Sequence, residues 1–406
     1  MTVVPHLENE TTEYIYETVQ DVTERTDERR AGSEGEKKAQ KIFLGELMKY
    51  CDETSEEKFR THPGAGTVTQ KALSVLLILC NILFAVSAAS GKAFAAGLSL
   101  AVSLFCFSVF AYKFVFDGDK LNFIIKSKYS VNVFGKRYPR GEVKNRVVLV
   151  ARADAPPCLR SRVFGAQTPF MISVISIVGN TLLFCSEAAF LFSGAPQKNA
   201  AFTALCVMCF LFVPVYAAAL IITDPRAAAS GISSSLMPSA IIIGIIKQFF
   251  ENAVRYDGTE ICCLIVGSEY SSRAGAYAFA RKHRRLFSDV PTVFIPIDEI
   301  TSSKDLCVFF RDGSGVKGNA EIASVIADAA DNLNIELSKE RSLLGSASYT
   351  PFSAQGLASC SLGTSKKKIG RAFAKHADKL SAVKRKTVTD IGALIIETLN
   401  YFDSRR

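Results

Sequence analysis

Four long apolar runs stand out in the pattern of hydrophobic and polar positions. They occupy residues 72–89, 93–112, 170–193 and 200–222. Apart from Glu187, the four runs contain no charged residue. Each is close to the roughly 20 apolar residues that a helix needs to cross a bilayer. Because three residues join the first two runs and six join the last two, the pattern predicts two transmembrane helical hairpins.

The remaining segments show the periods of soluble helices and strands. Residues 7–60 are predicted to be helical, with Ser33 and Glu36 forming a capping box. Residues 147–151 form a continuous apolar run, typical of a central strand covered on both faces. The run 236–246 is too short to span a bilayer and predicts a buried helix. Further along, predicted strands at 260–266, 292–297 and 306–310 alternate with helices at 271–283, 321–333 and 388–402.

This alternation predicts an α/β fold with a mostly parallel sheet and helices on both faces. The two hairpins interrupt that fold, so the chain divides into five segments. The soluble segments are 1–70, 115–167 and 223–406, and the hairpin segments are 71–114 and 168–222. We expect the three soluble segments to form one domain.

Charge is distributed unevenly around the hairpins. The formal net charge is +9. Basic residues flank both hairpins on one side (Lys71, Lys113, Arg160, Arg162, Arg226), whereas each far turn holds one lysine (Lys92, Lys198). By the positive-inside rule, this bias predicts a multi-pass integral protein of the plasma membrane with its soluble part in the cytoplasm. The basic stretch 126–146 is then expected to face lipid headgroups or water, and no nucleic-acid partner is expected.

The cysteines and the N-terminal residues argue against a secreted, disulfide-rich protein. Eleven cysteines occur, and their spacing matches neither a zinc knuckle nor a disulfide framework. We therefore expect buried thiols in a reducing compartment. The first residues are polar and acidic, so no signal peptide is expected.

Seven short segments occur in an order that resembles one enzyme family. They are ERRAGSEGEKKAQKIFLGEL (28–47), VVLVARADA (147–155), AAASGISSS (227–235), IVGSEYSSRAGAYAFARKH (265–283), VFIPIDEI (293–300), SYTPFSAQGLAS (348–359) and KHADK (375–379). The order is similar to that of the co-catalytic two-zinc aminopeptidase family, which includes bacterial leucyl aminopeptidase, glutamate carboxypeptidase and the transferrin receptor ectodomain. Each motif is weak alone, but the ordered series implies the α/β fold of this family.

The resemblance implies that part of a metal site has been lost. Two zinc ions need a bridging carboxylate, a His and a carboxylate for each ion, and a Glu that deprotonates the bridging water. Arg152 stands at the first His position, Ala227 at the bridging Asp and Ser268 at the general base. A guanidinium stays protonated and offers no lone pair to zinc. Asp224, three residues before Ala227, is an alternative carboxylate.

Other positions of the family's site are kept. The vestigial metal-ligand candidates are Asp154, Glu269, Asp298 and His376, and Tyr349 matches the Tyr of its motif. Structural interpretations stand beside these roles. Asp154 could cap a turn, Glu269 could be a carboxylate favoured at a helix N-terminus, and His376 could be a surface histidine.

Three hypotheses about function follow. The first is a membrane-anchored, catalytically inactive pseudo-peptidase that contacts membrane lipid and binds a peptide or a membrane protein partner. It would hold no zinc, because Arg152 would form a salt-bridge cluster with the remaining carboxylates. The second is an active metallo-aminopeptidase or related hydrolase with a rearranged single-zinc site. The third is a transporter-like protein built around Glu187, since intramembrane carboxylates are often functional.

Overall fold

The computed structural model describes residues 3–115, 122, 125–159, 168–194, 200–342, 347–365 and 378–404. Its helices are α1 (Asn9–Arg25), α2 (Glu34–Tyr50), α3 (Ala65–Ser90), α4 (Ala93–Phe110), α5 (Thr168–Phe192), α6 (Ala200–Phe210), α7 (Val213–Ile221), α8 (Met237–Glu251), α9 (Ala274–His283), α10 (Ala320–Asn332), α11 (Thr350–Ser353) and α12 (Arg385–Ser404). Its strands are β1 (Glu53–Thr61), β2 (Lys128–Arg137), β3 (Asn145–Arg152), β4 (Pro157–Leu159), β5 (Thr223–Ala228), β6 (Thr259–Val266), β7 (Thr292–Pro296), β8 (Leu306–Asp312), β9 (Leu337–Ser342), β10 (Ala358–Ser359) and β11 (Ser361–Thr364).

The chain divides into two units. The sheet unit comprises Met1–Pro63, Phe123–Cys158 and Arg226–Arg406. The helical unit comprises Gly64–Asn122 and Leu159–Pro225. Each unit is therefore assembled from segments that are separated in sequence.

A six-stranded mixed sheet is the centre of the sheet unit, with strand order β1-β2-β6-β3-β7-β10. Strands β6, β3, β7 and β10 run parallel to one another. The other two ladders, β1 with β2 and β2 with β6, are antiparallel. A second sheet has the order β11-β8-β9. The fold is α/β, as the sequence predicts, and the main sheet is mixed, because β1 and β2 add an antiparallel part to four parallel strands.

Strand β1 differs from the helix predicted up to residue 60. Helix α2 ends at Tyr50, and Glu53–Thr61 pairs antiparallel with β2. Residues 51–61 contain only two apolar side chains, so they offer no stripe that a helix could bury. Pairing with β2 therefore decides the conformation of this segment. Strand β2 itself has no counterpart in the sequence prediction.

The apolar run of β3 is buried on both sides of the sheet. Its odd-numbered side chains, Val147, Leu149 and Ala151, belong to the core cluster that includes α1, α2, α8 and α12. Val148 and Val150 belong to the opposite cluster, formed with α9 and α11. Because successive strand residues point to opposite faces, helix packing on both faces explains why the whole run is apolar.

Helix α8 is the most deeply buried helix of the sheet unit. It covers residues 237–246 of the buried helix predicted at 236–246, and it packs closely against α1. A Cβ added at Gly244 would lie 2.7 Å from Ile15 Cγ1, closer than van der Waals contact permits. A residue without a side chain at this position therefore allows the two helices to approach.

The helical unit has an apolar outside and a partly polar inside. Long apolar helical stretches that could cross a membrane by length and composition cover Ala65–Ser90, Ala93–Lys113, Met171–Phe192 and Ala200–Ile221. A fifth stretch, Ile232–Glu251, also meets that criterion but is 94% buried and belongs to the sheet unit. Most of the exposed large apolar side chains in the described residues lie in the helical unit, whereas Ser99, Asn180 and Glu187 are fully buried there.

Candidate functional site

The candidate site lies where three parallel strands end. Arg152 is the last residue of β3, and Asp154 follows it by two positions. Glu269 follows β6, and Asp298 follows β7. Because parallel strands present their carboxyl ends at one edge, this is where ligands bind in open α/β sheets. All four side chains are buried or nearly so.

Arg152 provides the positive charge of this edge. Its guanidinium forms an ion pair with Asp298. The hydroxyl of Ser348 also donates a hydrogen bond to Asp298, with 2.5 Å between Ser348 Oγ and Asp298 Oδ1. The guanidinium carbon lies 5.5 Å from the ring centroid of Tyr270, a cation–π distance. Burial opposes the charge of Arg152, but Tyr270 and the surrounding carboxylates outweigh it and raise the guanidinium pKa above its usual range.

Asp154 makes a backbone contact instead of an ion pair with Arg152. Its Oδ2 accepts a hydrogen bond from the backbone N–H of Tyr270 at 2.8 Å. Its Oδ1 has no hydrogen-bond partner among the described residues. Complete burial, reinforced by the nearby charge of Glu36, raises the pKa of Asp154 to about 8. The Tyr270 N–H and Arg152 lower it by less.

Glu269 lies between two arginines. Arg273 Nε is 3.7 Å from Glu269 Oε1, and Arg152 also stabilises the charged form of this carboxylate. Burial is the larger effect, and it raises the pKa of Glu269 to about 7. Asp154 and Glu269 are therefore carboxyls that hold protons far more readily than exposed ones do.

Ser268 connects this edge to the N-terminal segment. It has a left-handed backbone conformation, with φ of 51°, and its N–H and hydroxyl both contact the carboxylate of Glu36. Glu36 is fully buried and also accepts from Gly32 N–H at 2.6 Å and Ser130 Oγ at 2.9 Å. Its own N–H donates to Ser33 Oγ, which is half of the predicted capping box.

The carboxylate of Glu36 thus bonds outside its own helix rather than to the N–H of Ser33. Sequence reasoning assigned Glu36 only to the capping box and missed its contact with the site. The available signal was the segment 28–47, which contains Glu36 and resembles the first motif of the family's ordered series.

Two further residues that sequence reasoning missed organise the edge. Asp378 accepts hydrogen bonds from the backbone N–H groups of Ile232 at 2.7 Å and Ser233 at 3.0 Å, at the start of the helical turn before α8. Arg29 is buried and donates to the carbonyl oxygens of Ala153 and Ser230. Burial lowers the pKa of Arg29 to about 10, against the opposing effect of Asp378 and Asp154.

The structure describes three further sequence-predicted positions, Ala227, Asp224 and Tyr349. Ala227 and Asp224 belong to β5, and an alanine carries no ligating atom. Tyr349 is fully buried, and its hydroxyl donates to the carbonyl of Val316 at 3.1 Å. Burial raises the pKa of Tyr349 above its usual range. His376 lies outside the described residues.

Little open space remains beside the cluster. A cavity lined by Arg152, Glu269, Ser348 and Phe352 has a volume of about 10 Å³. That is room for about one water molecule. Arg152 lines this cavity at the carboxyl edge of the sheet, which is the edge where open α/β sheets bind ligands.

The residues that the structure describes do not fit a two-zinc centre. Among the described residues, no three His, Cys, Asp or Glu side chains are grouped so that they could hold a metal ion. Arg152 adds a permanent positive charge next to Asp298 and Glu269, which disfavours a second cation by charge repulsion. Asp298 is paired with a guanidinium, and burial raises the pKa of Asp154 and Glu269.

Several solved structures share the fold of this chain. A zinc aminopeptidase from Bacillus subtilis superposes with a TM-score of 0.56 at 12% identity, covering 96% of this chain and 95% of that one. A leucine aminopeptidase precursor from Bacteroides thetaiotaomicron gives 0.56 at 8% identity, covering 98% and 99%. A glutaminyl cyclase from an Acidobacteriales bacterium gives 0.55 at 11% identity, covering 98% and 96%.

The sheet unit has the fold of zinc aminopeptidases and glutaminyl cyclases. No family model matches the sequence, and no curated protein is similar to it at the sequence level. At these identities the likeness concerns the fold alone. The fold implied by the seven motifs is therefore confirmed, whereas the activity has to be argued from the residues of this chain.

Proposed function

We propose that this chain is a membrane-anchored, catalytically inactive protein with a zinc-aminopeptidase-like fold. The observation that carries the proposal is the ion pair between Arg152 and Asp298 at the carboxyl edge of the sheet. A guanidinium there neutralises a carboxylate that a zinc ion would otherwise hold. Ser268, at the position of the general base, has no group that can take a proton from water at neutral pH.

The apolar exterior of the helical unit supports membrane anchoring. Phe94 and Leu211 are 85% and 71% exposed, and similar side chains recur along all its long helices. A monomeric soluble protein rarely exposes so continuous an apolar surface. Lipid is the natural surrounding for such helices, and the lysine and arginine bias supports a cytoplasmic location for the sheet unit.

The role that remains for the sheet unit is binding. Because the cavity beside Arg152 holds about one water, a peptide does not fit there without rearrangement. We therefore infer that the partner is a membrane protein or a peptide that docks on the surface of the unit. The membrane anchor would hold the unit close to such partners and raise their effective concentration.

Zinc content and activity test this proposal on the purified full-length protein. After incubation with zinc and dialysis, we expect far less than one zinc ion per chain. We also expect no hydrolysis of amino-acyl chromogenic substrates and no cyclisation of peptides with an N-terminal glutamine. The second assay is included because glutaminyl cyclases share the fold.

A control variant shows that the assay can detect a restored site. In the double variant Arg152→His, Ala227→Asp, the first ligand and the bridging carboxylate return, and we expect zinc binding to increase. Two zinc ions per wild-type chain, or robust turnover, would overturn the proposal. One tightly bound zinc with turnover that is lost in Glu269→Gln would instead support an active enzyme with a single-metal site.

A further inference from the structure

A carboxylic acid without a charged partner lies inside the helical unit. Glu187, on α5, is fully buried. Both of its carboxyl oxygens contact hydroxyl groups of α4, with Ser99 Oγ at one oxygen and Ser103 Oγ 2.7 Å from the other. Within the part of the chain that the structure describes, no lysine, arginine or histidine pairs with it.

Each of the two serine hydroxyls has two acceptor oxygens within hydrogen-bond distance but only one proton to donate. Ser99 Oγ also lies 2.9 Å from the carbonyl oxygen of Cys80, and Ser103 Oγ lies 3.0 Å from that of Leu100. Each hydroxyl can donate one proton only. With Glu187 ionised, two of the four contacts can therefore be hydrogen bonds. With Glu187 protonated, the acid donates to one serine oxygen, and three of the four can form.

The surroundings of Glu187 also favour an uncharged acid. The titratable groups that face it from the packed helices are the thiols of Cys80 on α3, Cys106 on α4 and Cys209 on α6. Tyr216 of α7 is buried among the same thiols. Thiols and phenols are mostly uncharged at neutral pH. None of these neighbours compensates the cost of burying a carboxylate.

A polar face of α5 leads away from Glu187. Ser176 and Asn180 are fully buried and share that face with Glu187 by their helical spacing. Asn180 Nδ2 donates to the carbonyl oxygen of Ser103 at 3.1 Å, while Asn180 Oδ1 and Ser176 Oγ have no partner among the described residues. These oxygens are acceptors for a proton-carrying group in an otherwise apolar interior.

We propose that Glu187 is a reversible proton-binding site inside the helical unit, formed with Ser99 and Ser103 and extended along α5 by Asn180 and Ser176. The ligand is a proton: when it is bound, the acid donates to a serine oxygen, and when it is released, both serine hydroxyls donate to the carboxylate. This site is separate from the candidate metal site, because none of its residues belongs to the sheet unit. A charge that appears and disappears inside a helix bundle is the property on which proton-coupled membrane proteins rely.

Carbodiimide labelling of the detergent-solubilised full-length protein tests the proposal. A hydrophobic carbodiimide reacts with protonated carboxyl groups in apolar surroundings, and peptide mass mapping locates the adduct. We expect an adduct on Glu187 that decreases at least several-fold as the pH is raised from neutral to strongly alkaline. A water-soluble carbodiimide should leave Glu187 unlabelled but modify exposed carboxyls.

Two serines of α4 give a matched pair of variants. Ser103→Ala removes a hydroxyl that donates to the ionised carboxylate, so labelling should persist to higher pH. Ser108→Ala, at an exposed position of the same helix, should leave the profile unchanged. Glu187→Gln should abolish the adduct. Absence of an adduct on folded wild-type protein at any pH, or labelling that does not respond to pH, would overturn the proposal even if Glu187→Gln fails to fold.

Discussion

At the scale of single residues, Arg152 and the carboxyls around it are the basis of our proposal that this edge of the sheet does not hold zinc. Arg152 pairs with one carboxylate, Asp298, and cannot pair equally with all three. Asp154 and Glu269 respond to burial by binding protons more readily, with pKa values of about 8 and 7. A zinc ligand has to be deprotonated. The Arg152 ion pair and the raised pKa values of Asp154 and Glu269 therefore both oppose zinc binding at this edge.

Removing the guanidinium should destabilise the sheet unit. Arg152→Met leaves Asp298 buried without its cation, so we expect the free energy of unfolding to fall by about 3 kcal/mol. Urea titration followed by circular dichroism measures the change. Arg25→Met removes an exposed arginine from a surface pair with Asp21 and should cost less than about 1 kcal/mol. Equal losses of unfolding free energy in the two variants would show that the buried Arg152 ion pair stabilises the protein no more than an exposed pair does.

The raised carboxyl pKa values predict a pH dependence of stability. An unfolded chain loses the protons of Asp154 and Glu269 near pH 4, whereas the folded protein keeps them until about pH 7 to 8. The folded state binds more protons in this window, so the contribution of these two carboxyls to stability falls as the pH rises from about 4 to 8.

Melting temperatures measured across that pH range check this sign. Asp154→Asn and Glu269→Gln mimic the protonated forms, so both variants should flatten the decline. Asp21→Asn, at an exposed pair, should keep the wild-type slope. A wild-type stability that increases between pH 5 and pH 8 because of these two residues would contradict the assignment.

At the scale of elements, strands buried on both faces were predictable and the edge of the sheet was not. The apolar run 147–151 identified β3, because only a strand with helices on both sides needs such a run. Strand β1 was missed, because this solvated edge strand contains too few apolar residues to show a period. Strand β2, which is mostly buried between β1 and β6, was not predicted either. Glu36 and Asp378 act through contacts distant in sequence, which no local pattern reveals.

The close approach of α1 and α8 predicts opposite effects for two glycines. Gly244→Ala places a methyl group against Ile15, and we expect a loss of about 1–2 kcal/mol despite the better helix propensity of alanine. Gly45→Ala in α2 meets no atom within 4 Å and should increase stability by about 0.5–1 kcal/mol. The melting temperatures of both variants, compared with that of the wild type, test these two predictions. A stabilising Gly244→Ala would show that the two helices are less tightly packed.

At the scale of the whole molecule, one chain combines a water-facing α/β unit with a unit whose surface is apolar. The sequence revealed both parts, because charge-free runs of about 20 residues and an alternation of strands and helices have different periods. The strand order of the sheet, including its antiparallel part, could not be predicted from the sequence and is known only from the structure. Two helical hairpins inserted into one fold explain why each unit is built from separated segments.

The proposed membrane topology can be tested on intact cells. An epitope inserted in the turn beside Lys92 should be accessible to antibody from outside, because the positive-inside rule places this turn away from the cytoplasm. An epitope placed after Ser404 should become accessible only after the membrane is permeabilised. The opposite pattern would invert the topology, and accessibility of both epitopes after cell lysis without membrane association would exclude anchoring.

The most direct measurement is anomalous diffraction at the zinc absorption edge from crystals of the full-length protein soaked in zinc. We expect no anomalous peak beside Asp154, Glu269 and Asp298, with the Arg152 guanidinium between Asp298 and the ring of Tyr270. Two anomalous peaks about 3.5–4 Å apart at this edge of the sheet, with Arg152 turned away, would contradict the replacement of the metal site.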